Sequence, residues 1–166
     1  MPSLRSIALT LAASFMLTKA EHLRVVWSSG SYGTIGGPVG GGQNGHYDNF
    51  AIIRDDGEAV YTDAAPGGYA SCFHTGGGRT FEICGDCWDS CFRFHCLSTL
   101  GANPKSCAVQ DASGNVLDEG KGMTDTDFIG IAIGMDTTCV VEFESDGPGC
   151  PIDDGNGPLH GTGKSV

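Results

Sequence analysis

Apolar residues in this chain recur at every second position, in short runs. Leu23, Val25 and Trp27 share one face of a first strand, and Phe50 and Ile52 do so in a second. Phe92 and Phe94 alternate with Arg93 and His95. Ile129, Ile131 and Ile133 alternate with the small residues Gly130, Ala132 and Gly134. Val141 and Phe143 alternate with Glu142 and Glu144. Period two is the mark of a strand with one face in a core. No window has convincing helical spacing.

Turn residues separate these runs. Asp55-Asp56-Gly57 divides the strand ending at Arg54 from Ala59-Val60-Tyr61, and Ser113-Gly114-Asn115 divides Cys107–Asp111 from Val116-Leu117. Met135-Asp136-Thr137 divides the isoleucine strand from Cys139–Phe143. Gly, Asn and Asp supply the positive φ that tight hairpins require. The spacing predicts an all-β domain, a β-sandwich or barrel of about seven to nine short antiparallel strands. Two segments depart from the pattern. Ser28 to Gly45 holds eight glycines and Pro38 and reads as a long loop. Pro151 to Val166 has little to bury and reads as a flexible tail.

The N-terminus changes the picture. Arg5 precedes an apolar run from Ile7 to Thr18, shorter than the ~18–20 residues of a membrane span. Thr18 and Ala20 are the small residues of a leader-peptidase site before Glu21. The expected organisation is a signal peptide over 1–20, one domain over 21–150 and the tail over 151–166. No later run is long enough to span a membrane. The formal charge is −11, and the leader holds Arg5, Lys19 and no acid, so its loss would leave a more acidic chain. Such a balance argues against nucleic acid and anionic membranes as partners. It favours cationic partners or Ca²⁺, although an acidic solvated surface accounts for it better.

All eight cysteines, Cys72, Cys84, Cys87, Cys91, Cys96, Cys107, Cys139 and Cys150, follow the leader. An even count on a secretory route reads as a disulfide framework. Cys72 and Cys84 flank Gly76-Gly77-Gly78. A hairpin centred on Gly78 would set them opposite one another, pairing Phe73 with Ile83, Thr75 with Phe81 and His74 with Glu82. A Cys72–Cys84 bridge is therefore expected. The crowded run Cys84-x2-Cys87-x3-Cys91-x4-Cys96 could also hold zinc, with His95 as a further ligand, or act as a redox Cys-x-x-Cys. Zinc would need thiols kept reduced during export, and the redox motif a βαβ setting, so disulfides are preferred.

Other apparent motifs fail. Gly40 to Gly45 matches a dinucleotide-binding glycine pattern, but a strand rather than a helix follows. Gly161-Thr162-Gly163-Lys164-Ser165 resembles the end of a phosphate loop, yet Pro158 stands where its first glycine belongs. His46, beside Asp48, is the best single acid–base candidate. His22 would be an N-terminal copper ligand only if cleavage fell after Glu21. Glu142 and Glu144 share a strand face and could form a hydrolytic carboxylate pair. Asp55/Asp56/Glu58, Asp125/Asp127 with Asp136, and Asp153/Asp154 could hold Ca²⁺, although turn chemistry accounts for them better. No catalytic residue, metal site or cofactor is assigned.

The short leader, small size, eight cysteines and Gly-rich β body resemble, in style, the small secreted cysteine-rich proteins of filamentous fungi. Many of these are candidate effectors acting on a host plant. The resemblance is to a class and implies a monomeric, extracellular binding protein whose partner is a host protein or a cell-wall glycan. The contact region is expected at the 28–45 loop and its flanks, with Trp27, Tyr32, His46 and Tyr47 as candidate binding residues; Trp27 equally suits the core. The competing class is a small enzyme acting on wall polysaccharide. An antimicrobial toxin fits less well, because membrane-active toxins are usually cationic.

Overall fold

The structure, a computed structural model, describes residues 20–34, 44–129 and 132–165. Residues 1–19 of the expected signal peptide 1–20, and the centre of the expected glycine loop, 35–43, lie outside them. The alternating runs form a two-sheet antiparallel β-sandwich. Sheet A has the order β3-β2-β1-β9-β8 and sheet B the order β10-β4-β5-β6-β7. The strands are β1 (His22–Thr34), β2 (Asn44–Arg54), β3 (Ala59–Asp63), β4 (Arg79–Cys84), β5 (Phe92–Ser98), β6 (Pro104–Gln110), β7 (Val116–Lys121), β8 (Met123–Ile129), β9 (Ala132–Glu144) and β10 (His160–Ser165). A 3-10 turn at Pro66–Gly68 is the one helical element among the described residues. None of their helices is long and apolar enough to cross a membrane.

The period-two faces meet between the sheets. Leu23, Val25 and Trp27 of β1, Phe50 and Ile52 of β2, Phe81 and Ile83 of β4, and Phe94 of β5 are fully buried. Phe50 is the hub of the aromatic core. Its ring lies 5.1 Å from Trp27 and Phe81, 5.5 Å from Phe94 and 6.0 Å from Tyr61 in edge-on contacts. Edge-on rings avoid the repulsion of stacked π faces, so a core this aromatic can pack densely. A second aromatic group, Trp88, Phe92 and Phe143, closes one end of the same core.

The sheets also meet along one side. Cys107 of β6 is bonded to Cys139 of β9. Asp118 of β7 accepts a 2.8 Å hydrogen bond from the backbone N–H of Glu142, on β9 beyond the residues that β8 pairs. A side-chain carbon at Gly120 would run into the Val140 carbonyl, so only glycine allows this approach. These links cover what would otherwise be an unpaired strand edge.

Several turn expectations hold. Gly57 N–H donates to Arg54 C=O at 3.0 Å in the β2–β3 hairpin. Gly114, at φ +87°, closes the β6–β7 hairpin, where Asp111 also accepts from Asn115. The Met135-Asp136-Thr137 turn does not occur, because β9 runs unbroken from Ala132 to Glu144. The reversal falls earlier, between the paired residues Ile129 and Ala132. Ile129 and Ile133 thus belong to neighbouring strands, whereas alternation had joined them in one; Ile131 is outside the described residues.

Three further expectations are corrected. The described residues form ten strands, against about seven to nine expected, because the polar strand β10 escaped the hydrophobic pattern. The Ser28–Gly45 loop is strand on both flanks, through Thr34 and from Asn44. The 151–166 tail carries β10, whose His160 and Gly161 pair with Cys84 and Ile83. That segment is held by buried Leu159 and by Asp153, whose backbone N–H donates to Ala59 C=O and whose carboxylate accepts from Thr62. A few hydrogen-bonded anchors and one leucine replace the apolar run that would have announced a strand.

All eight cysteines are paired: Cys72–Cys96, Cys84–Cys91, Cys87–Cys150 and Cys107–Cys139. The expected Cys72–Cys84 bridge is overturned. A strand has two edges, and β4 gives one to β5 and the other to β10. No edge remains for residues 72–78, so the Phe73–Ile83, Thr75–Phe81 and His74–Glu82 pairs do not form. Instead Phe73 bridges to Leu97 of β5, which carries Cys72 to Cys96. Arg79 holds the preceding loop in place. It is buried, and its guanidinium donates to the carbonyls of Pro66, Tyr69 and Ala70 at 2.6–2.7 Å. It also lies over the rings of Phe81, Tyr69 and Phe73.

Candidate functional site

A concave site lies at one end of sheet A, where β1 starts and β2 and β9 end. Register brings these ends together: Leu23 stands opposite Arg54, and His22 opposite Glu144. Ala20, Glu21, His22, Arg54, Asp55, Asp56, Glu144 and Pro148 line a cleft of 580 Å³. The β2–β3 hairpin turn therefore does double work, since Asp55 and Asp56 form both the turn and the cleft wall.

Charges in the cleft are mostly paired. His22 Nδ1 is 2.7 Å from Asp55 Oδ1, and Nε2 is 3.7 Å from Glu142. The hydrogen bond to Asp55 is the main reason the imidazole pKa is raised above its ordinary value of 6.5. Partial desolvation opposes the shift, and the charges of Asp55, Glu142 and Glu144 reinforce it. Arg24 meets Glu142 at 3.1 Å, and Arg54 meets Asp56 at 3.1 Å and Glu21 at 4.0 Å. Glu144 is exposed and has no ion pair among the described residues.

Glu21 ties the cleft to the scaffold. Its carbonyl accepts from Ser145 N–H at 2.9 Å, and its own N–H donates to Ser145 Oγ at 3.3 Å. Its carboxylate accepts from Cys150 N–H at 3.1 Å. Cys150 is in turn bonded to Cys87, so a disulfide anchors the floor beneath the first residues of the domain.

The sequence candidates separate. Trp27 is fully buried against Phe50 and leaves the contact list for the core. Tyr32, His46 and Tyr47 are brought together along the backbone. Tyr32 stands opposite Gly45, Ser31 opposite His46 and Gly30 opposite Tyr47, toward the far end of β1 from the cleft. Their side chains lie outside those described. Glu144 lines the cleft, whereas Glu142 only touches its His22 from outside and is occupied by Arg24. Sequence reasoning missed the cleft because His22, Asp55 and Glu144 are remote in the chain. The available signal was that two strand ends and a predicted Asp-Asp-Gly turn all carried acids.

A second hollow, 460 Å³, lies beside β3 and β10. Its acids serve the backbone. Asp153 accepts from Thr62 and Gly155, and Asp63 from Ala65 and Tyr61. Burial, then the Asp63 charge, pushes the Tyr61 phenol pKa upward. These contacts are turn chemistry, and Asp154 likewise accepts from the backbone N–H of Asn156. The crowded run Cys84 to Cys96 likewise resolves into staples, each cysteine reaching its own partner. No family model, curated protein or solved structure matches this chain.

Proposed function

We propose that this chain is a secreted binding protein of the effector type, meeting a host protein outside the producing cell through its acidic cleft. The observation that carries the reading is the cleft itself, a concave site fixed by three strand ends and presenting the exposed carboxylate of Glu144, which has no ion pair among the described residues. Four disulfides suit the oxidising exterior. A surface of this sign attracts basic side chains and speeds encounter with a cationic partner. A protein therefore suits the cleft better than a neutral wall glycan.

The experiment is a pull-down with oxidised protein lacking the leader, against host extracellular extract and wall polysaccharides. Retention of a basic protein, weakened by salt and by joint Asp55→Asn and Glu144→Gln substitution, is expected. Retention insensitive to both changes would remove the cleft from the reading.

A second reading, a small enzyme acting on wall polysaccharide, has one specific support. The contact of His22 with Asp55 orients an imidazole as acid–base catalysis requires. Shortening of a wall polysaccharide that disappears in His22→Gln would establish that reading in place of the first.

A further inference from the structure

We infer that hydrolysis of the Ala20–Glu21 peptide bond completes the cleft, by seating a new α-ammonium group of Glu21 on Ser145. The inference rests on the secretory part of the proposed function and adds a processing site with a structural role. Two independent observations meet at this bond. Thr18 and Ala20 have the small side chains that a leader peptidase accepts before its cut. The fold grips the next residue, Glu21, through its N–H, its carbonyl and its carboxylate. Ala20 is exposed and belongs to the cleft rim.

The reaction is a peptide hydrolysis. Water adds across the Ala20–Glu21 bond, Ala20 departs with a carboxylate, and the nitrogen of Glu21 becomes an ammonium with three N–H donors in place of one. One donor keeps the Ser145 Oγ contact, now charge-assisted and so roughly twice as strong as a neutral bond. The added positive charge enters a cluster in which Glu21, Asp55, Asp56, Glu142 and Glu144 outnumber Arg24 and Arg54. Processing thus removes Ala20 from the cleft rim and offsets part of the negative charge there in one step. An uncleaved chain has the acids but not the ammonium.

The full-length precursor is exported from a secretory host, and the released protein is examined by intact mass and N-terminal sequencing. A chain starting at Glu21 is expected; an exported chain starting at any other residue overturns the inference while leaving secretion intact. A precursor that is not exported overturns both. The seat is tested by comparing the chain starting at Glu21 with one that retains residues 18–20. Ser145→Ala should lower the melting temperature about twice as far in the first as in the second. The His22 titration midpoint, followed by NMR, should be lower in the first, because a nearby ammonium disfavours imidazolium. Equal melting shifts together with equal midpoints would show that the ammonium is not seated there.

Discussion

The two sheets are held together by different means. Sheet A is built on long strands: β1 and β9 have 13 residues each and β2 has 11. It contains one cysteine, Cys139. Sheet B has strands of 6 or 7 residues, and the other three bridges lie on it and its loops. A long uninterrupted ladder fixes its own register, because a one-residue slip would turn every buried side chain outward. Short strands joined by glycine-rich loops have fewer ladder bonds and more loop entropy, and cross-links offset that deficit. The cleft sits on the long-strand sheet but rests on Cys150, so it draws on both devices.

The comparison can be broken most directly at Trp27. Trp27→Ala should cost about 3–5 kcal/mol, a fall of roughly 10 °C in melting temperature. If Trp27 met a partner instead, binding would fall while the melting temperature stayed put. Next come the bridges of sheet B, removed as pairs by substitution with Ala. Loss of Cys87–Cys150, with sequence separation 63, should cost about 4 kcal/mol in urea unfolding. Loss of Cys84–Cys91, with separation 7, should cost about 2–3 kcal/mol. The reverse order would mean that loop closure is not what these staples contribute.

Arg79→Met tests whether a loop of sheet B can be held without a disulfide. It leaves the carbonyls of Pro66, Tyr69 and Ala70 without their donor and should cost about 2–3 kcal/mol, read by chemical denaturation. An unchanged midpoint would assign the loop to Cys72–Cys96 alone. The smallest effect belongs to the sheet A cleft. The folded pKa of His22 is raised, so its contribution is fully present below pH 6.5 and is lost as pH rises through the folded value. His22→Gln should flatten that part of the stability–pH profile; an identical profile would show that the Asp55 contact is not felt in solution.

The core faces of β1, β2, β5 and β9 were legible in the sequence because alternation is local. Leu23, Val25, Trp27, Phe50, Phe94 and Val141 all lie where period two puts them. The cysteine partners were not legible. Cys72 and Cys84 match in a local hairpin, but β4 takes β5 and β10 instead. The candidate site was half legible. Glu142 and Glu144 were singled out, while His22 and Asp55 stand 33 residues apart and meet only through the β1–β2 register.

By itself, the amino-acid sequence determines an all-β chain with an even set of cysteines, an acidic balance and the hairpins at Asp55-Asp56-Gly57 and Ser113-Gly114-Asn115. These are consequences of backbone preference and side-chain periodicity, which act over a few residues. Tertiary structure alone decided which cysteines bond, that the last residues return as β10, and that three distant strand ends close around Glu21 and His22. Strand pairing is a competition for two edges per strand, and its outcome depends on every other strand in the sheet.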